Sequence, residues 1–149
     1  MNKMTFKIAW ENYEKKLPKP KRVRKIKQIN FEEFKNKAEQ IHDKKYVDFL
    51  NNAWNEWVAL GFKGEAIPTV YPSRSMNSDV VPTFIEGKLG YYCLANETSI
   101  SEGTVEAAYE SVKVALTAAD MLDEEKSVFA LCRPPGHHAS KDQYGGYCF

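Results

Sequence analysis

The 149-residue sequence holds only three cysteines, Cys93, Cys132 and Cys148, an odd number with no Cys-x-x-Cys spacing. That excludes a disulfide framework and argues against a thiolate zinc site, so all three read as reduced, buried thiols. No apolar run approaches the ~18 residues that a membrane helix needs, and the opening MNKMTFKIAWENYEKK lacks the apolar core of a secretory signal. A cytoplasmic location with no membrane partner is the expectation. Histidine is scarce as well: His42, His137 and His138 are the only ones. Asp-x-His is missing altogether, since none of Asp43, Asp48, Asp79, Asp120, Asp123 and Asp142 has a histidine two residues on.

Enough apolar residues remain, 43% of the chain, to build one globular domain with a real core. The net charge of +1 conceals an asymmetry: residues 1–27 carry ten Lys and Arg against Glu11 and Glu14, and the rest carry eleven basic groups against eighteen acidic ones. An acidic body attracts cations and repels nucleic acid. The basic stretch KKLPKPKRVRKIK, residues 15–27, could bind nucleic acid or another anionic surface. It has no aromatic interleaving, no glycine pattern and no nucleic-acid-binding motif around it, so a solvated connector is the better reading and no nucleic-acid partner is expected.

Phe6–Trp10, FKIAW, is a short strand-like run, followed by extended or turn structure to about Lys27. Asn30 with Glu33 resembles a capping box, opening a helix with Phe31, Phe34, Ala38 and Ile41 on one face. A second cap at Asp43 starts an amphipathic helix whose stripe is Tyr46, Leu50, Ala53, Trp54, Trp57 and Val58, with Gly61 as its stop. Residues 61–90 show no sustained period and contain three prolines and four glycines. A connection this long is usually functional, so a binding or assembly loop is expected there. Ser101 is the expected cap of a helix to about Leu122, with the stripe Val105, Ala108, Val112, Ala115, Leu116, Ala119 and Leu122. SVFALC then reads as an unalternating strand buried in a parallel sheet covered on both faces, an α/β arrangement. RPPGHH would sit at that strand's carboxyl end, where open α/β sheets place their sites.

Pro134, Pro135 and Gly136 pre-shape the loop that carries the two histidines. Adjacent side chains usually diverge, which disfavours a shared metal. The pair could act as a base and an electrostatic partner around a metal-bound water, histidine being the side chain that changes charge near neutral pH. It could equally be two polar loop residues bonded to nearby backbone. The residues alone leave both open.

CRPPGHHA followed by GGYCF resembles the tandem-histidine motif of the histone deacetylase family, which has the arginase–deacetylase fold, a three-layer α/β architecture on a parallel sheet. IHDKKYVDFLNNAWNEWVALGFKGEAI, IEGKLGYYCLANETSISEGTVEAA and FALCRPPGHHASKDQYGGYCF are similar, in that order, to blocks of bacterial acetylpolyamine amidohydrolases. The resemblance runs from about Ile41 to Phe149, with residues 1–40 matching poorly. It implies that residues 1–149 are the amino-terminal portion of one deacetylase domain, with the fold incomplete.

The resemblance also implies roles. A zinc or iron(II) ion, held by two aspartates and a histidine, would activate water against an acetamide, bringing its pKa from 15.7 to about 7. His138 would be the general base and then the acid, with His137 its electrostatic partner. Tyr147 would line a narrow tunnel approached closely by Gly145 and Gly146. Glu97 and Glu86 match positions associated with the ammonium groups of an acetylated polyamine, which a carboxylate beside a low-dielectric tunnel attracts. Residues 61–90 would correspond to an insertion that packs a homodimer and narrows the entrance. The metal ligands would lie beyond Phe149, none in this chain, so the 149 residues alone are expected to be inactive and, with a strand edge uncovered, prone to association. A fragment of an acetyl-lysine deacetylase, and a non-catalytic remnant that pairs with a full-length relative, are the alternatives.

Overall fold

Asp43 and Gly61 bound the helix that carries Tyr46, Phe49 and Ala53 into the core. The computed structural model describes residues 25–149, so the strand expected at Phe6–Trp10 and most of the basic segment lie outside the described residues. Among the described residues four helices follow in order: α1 (Phe31–Ala38), α2 (Lys44–Ala59), α3 (Ile85–Tyr92) and α4 (Thr104–Met121). Among the described residues no helix is long and apolar enough to cross a membrane.

Both expected caps at the start of the chain are made. Asn30 Oδ1 accepts from the Glu33 N–H at 2.8 Å, while the Glu33 carboxylate turns to Lys37 instead of closing a reciprocal box. Asp43 Oδ1 accepts from the N–H groups of Lys45 and Tyr46. At the other end of α2, Gly61 takes the left-handed conformation at φ 84°, and its N–H reaches the Val58 carbonyl. From α2, Tyr46, Phe49 and Ala53 enter the core and Leu50, Trp54 and Trp57 pack at its rim, whereas Val58 stays half exposed. In α1 no residue is buried: Phe31 and Phe34 lie against the Tyr109 ring of α4, and Ile41 falls beyond the helix in an exposed turn.

Helix α3 is absent from the sequence expectation, which made all of 61–90 a loop. Its apolar positions Ile85, Leu89 and Tyr92 do stand at helical steps and are all buried. Gly87 and Gly90 mask that signal, and both are needed for packing: a Cβ on Gly87 would stand 2.7 Å from the Pro82 ring, and one on Gly90 would overlap the Val70 carbonyl. The loop proper therefore ends at Phe84, and Glu86 belongs to the first turn of α3.

An aromatic column joins α2 and α3 to the last residues of the chain. Phe49 stacks on Tyr92 at 4.6 Å and on Tyr144 at 6.1 Å, and Tyr144 stacks on Phe149 at 5.7 Å. Each such pair adds ~0.5–1.5 kcal/mol to its area burial. Burial pushes the Tyr144 and Tyr46 phenols above the ordinary tyrosine range, and likewise raises the Cys93 thiol, so the core beneath the closing motif is uncharged at neutral pH.

Two expectations need correction. α4 starts at Thr104, with Gly103 rather than Ser101 at its cap; the Thr104 hydroxyl accepts the Ser101 N–H, reversing the expected capping direction. Its apolar stripe is only partly covered, and the buried residue of α4 is Lys113, ion-paired with Glu110 and lying over the Tyr109 ring. SVFALC, residues 127–132, forms no strand among the described residues; its Cys132 N–H turns back to the Ala130 carbonyl, and Phe129 and Leu131 are 84% and 80% exposed. A strand exists through its ladder, and a hydrophobic run cannot supply the partner. Pairing among the described residues is confined to isolated bridges: Ala66 with Ile100, Cys93 with Tyr144 in parallel, and Gly145 with Cys148.

Candidate active site

The tandem histidines occupy a turn fastened on three sides. On the α4 side, the Ser111 hydroxyl donates to the Pro134 carbonyl at 2.8 Å and the Cys132 thiol reaches the Ser111 carbonyl. The Ala139 N–H bonds the Gly136 carbonyl at 3.1 Å, which places His137 and His138 at the two central positions of a tight turn. Downstream, His42 Nδ1 lies 2.7 Å from the Ser140 carbonyl oxygen and the Asp43 N–H donates to Lys141 at 2.7 Å, tying the loop to the start of α2. His42 is therefore a loop anchor remote in role from the pair.

The two imidazoles do not diverge. Their centroids are 4.3 Å apart at an interplanar angle of 46°, and both rings are exposed. Cys148 lies behind them, its buried sulfur accepting the His138 N–H at 3.3 Å.

The GGYC segment forms a second turn against the first. Gly145 and Cys148 exchange both backbone hydrogen bonds at 3.0 Å, and the two residues between them have positive φ, 55° at Gly146 and 63° at Tyr147. Positive φ at both central positions is the mark of a type I′ hairpin turn. Gly146 is required twice over: besides its φ, a Cβ there would come within 2.5 Å of His138 Cδ2. Gly145 is pressed on Leu94, whose N–H bonds the Tyr144 carbonyl. The close approach made by these glycines is thus to Leu94 and to the His138 imidazole. Tyr147 itself is 62% exposed.

Glu97 reaches the same turn, its Oε1 accepting the Gly146 N–H at 3.0 Å. A cleft of about 610 Å³ opens beside it, lined by Glu97, Thr98, Glu102, Arg133, Pro135 and Tyr147 among others. Glu102 and Arg133 were not singled out from the sequence: both lie inside blocks that carry the family resemblance, but neither has a periodic signal of its own. Glu86 is exposed on α3 and does not line this cleft. An apolar cavity of about 500 Å³ lies on the other side of Pro134–Gly136, between α1, α2 and α4. Of the sequence-derived residues, then, His137, His138, Glu97, Tyr147, Gly145 and Gly146 come together, and Glu86 stands apart. Among the described residues no three His, Cys, Asp or Glu groups gather to hold a metal ion. The donors among the described residues do not by themselves fit a metal.

The Histone deacetylase domain profile matches residues 1–149. The chain belongs to the histone deacetylase family. Within that family it is 53% identical over 111 residues to the acetylpolyamine amidohydrolase of Mycoplana ramosa and 48% identical over 112 residues to acetylpolyamine amidohydrolase 1 of Pseudomonas aeruginosa. Each match takes in 74% of this chain and 32% of the relative, so this family member spans about a third of the length of those proteins. Its fold is similar to that in the crystal structure of acetylpolyamine aminohydrolase from Burkholderia pseudomallei, with a TM-score of 0.71 and 26% identity over 97% of this chain and 40% of that one. The arginase–deacetylase α/β fold expected from the sequence is therefore the fold of this chain, although its described residues show helices and little sheet.

Proposed function

We propose that this chain supplies the acid–base and entrance portion of a deacetylase that hydrolyses the acetamide of acetylated polyamines, of the acetylputrescine or acetylspermidine type, to acetate and a free amine. The observation that carries the reading is that one four-residue turn touches both the His138 ring and the Glu97 carboxylate. A substrate reaching the imidazoles along Tyr147 passes an anion one turn away. The names of the Mycoplana and Pseudomonas relatives support the substrate class.

His138 takes the proton of the attacking water and returns it to the departing amine, while His137, at 4.3 Å, stabilises the charge that develops between them. Tyr147 restricts the entrance to a slender chain. Glu97, and Glu86 from α3, attract the ammonium groups that a polyamine carries and an acetyl-lysine peptide lacks. Zinc or iron(II) is the metal of the whole protein in this reading, and the free state of all three cysteines suits a reducing cytoplasm.

Glu97→Gln tests the substrate assignment, because the amide oxygen can still accept the Gly146 N–H while the charge is gone. In the whole protein the KM for an acetylated polyamine is expected to rise about tenfold, the scale of one charged hydrogen bond, with kcat little changed. An unchanged preference for acetylpolyamine over an acetyl-lysine peptide would remove Glu97 from the substrate contacts.

The reading also includes a homodimer through the 61–90 region. Val70, Met76 and Val80 are each at least 60% exposed there and would be covered in such a contact. Sedimentation of the whole protein is expected to give a dimer that Val70→Asp with Val80→Asp dissociates; a dimer indifferent to both charges would place the contact elsewhere.

A further inference from the structure

We propose that Thr98, together with Glu97, clamps the Gly146–Tyr147 turn from outside, which makes Thr98 a positioning residue for His138 and for the entrance tyrosine. The clamp is a matter of backbone geometry; its consequence for turnover rests on the deacetylase reading above.

The turn cannot hold itself. Its own two hydrogen bonds join Gly145 and Cys148 and use neither central N–H. In a type I′ turn those amides point away from the hairpin and need acceptors from elsewhere. Consecutive residues provide them: Glu97 takes the Gly146 N–H at 3.0 Å and Thr98 Oγ1 takes the Tyr147 N–H at 2.8 Å. Tyr147 needs this most. At φ 63° it occupies a conformation that favours glycine or asparagine, and other side chains persist there only where the surroundings over-determine them.

Thr98 is built for the task. It is 1% exposed, so its hydroxyl is shielded from competing water, and a valine would fill the same space without the acceptor. The segment that carries it is pinned on both sides, by the Leu94 N–H to Tyr144 and by the paired hydrogen bonds of Ala66 with Ile100. The clamp therefore works from a fixed base. Its output is the distance between the Gly146 Cα and the His138 ring, which is so short that no Cβ fits between them. A turn that swings outward releases the imidazole from the position at which it must exchange a proton.

The test uses Thr98→Val and Thr98→Ser in the whole protein, read by amide hydrogen exchange across residues 144–149 and by steady-state kinetics. Thr98→Val is expected to speed exchange at Tyr147 about tenfold, the equivalent of one buried hydrogen bond, and to leave the Leu94 and Ala66–Ile100 amides protected. It is expected to lower kcat about ten- to hundredfold with KM within about twofold. Thr98→Ser is expected to restore both, which lost packing alone would not allow. Unchanged exchange at Tyr147 in Thr98→Val, or no recovery in Thr98→Ser, overturns the proposal. Loosening of all the monitored amides together overturns it too, since Thr98 would then be part of the general core. If the wild-type protein fails to hydrolyse acetylpolyamines while the exchange pattern follows expectation, the substrate reading falls and the clamp stands.

Discussion

His138→Ala in the whole protein is expected to lower kcat for an acetylated polyamine by about 10² to 10⁴, the usual worth of a positioned acid–base group. The loss should fall on kcat with little change in stability. The ring is exposed, and the contact that fixes the residue in the turn, its N–H to the Cys148 sulfur, is made by the backbone and survives the substitution. His137→Ala should cost less, because in the proposed mechanism its ring, with its centroid 4.3 Å from that of His138, acts only through its field. Kinetics and a thermal melt on the same preparations check this together. Activity within a few-fold of wild type in His138→Ala would mean that another group moves the proton.

The pair was legible in the sequence because Pro134, Pro135 and Gly136 mark a rigid loop and because side-by-side histidines are chemically conspicuous. Their mutual geometry was not. Neighbouring side chains diverge on a strand, and only the Gly136–Ala139 hydrogen bond, which creates a turn, brings the rings together. The cap and stop of helix α2 are legible because an aspartate and a glycine are local signals, whereas its expected stripe omits the buried Val47 and Phe49 and includes the half-exposed Val58. Helix α3 was lost for the opposite reason. Gly87 and Gly90 lower local helix propensity, and they are there because Pro82 and Val70 pass too close for any side chain, a tertiary demand that a one-dimensional pattern does not express.

The strand at 127–132 and the cap at Ser101 fail for related reasons. A continuous apolar run reports that a segment wants burial, and what buries it is decided elsewhere. Ser101 has the right side chain for a cap, but Gly103 at φ 81° begins the helix two residues later and leaves the Ser101 N–H to Thr104. At the site the same division holds. Glu97 was visible as a carboxylate in a suggestive block, yet its hydrogen bond to Gly146 joins residues 49 apart. Thr98 carried no signal at all, because a buried threonine and a solvated one look alike until the turn that it serves is in place.

Gly146→Ala should strike the same imidazole without altering it. A Cβ at residue 146 meets His138 Cδ2 at 2.5 Å and Cγ at 2.9 Å, so either the ring tilts away or the hairpin turn opens. Displacement of a reacting group by about 1 Å costs on the order of 10²-fold, and a fall in kcat of that size is expected. The backbone adds a separate penalty of about 1 kcal/mol, because alanine at φ 55° loses the freedom glycine has there. Gly64→Ala separates the two effects. Gly64 has φ 72° and nothing within 4 Å of its ideal Cβ, so the variant should lose similar stability while keeping full turnover. If Gly146→Ala and Gly64→Ala lowered kcat equally, the defect would be a general loosening of the fold. If Gly146→Ala lost stability but kept its turnover, the packing of the turn on His138 would have no part in catalysis. A loss of turnover confined to Gly146→Ala, with His137 and His138 both intact, would show that the imidazole must be held in place as well as present.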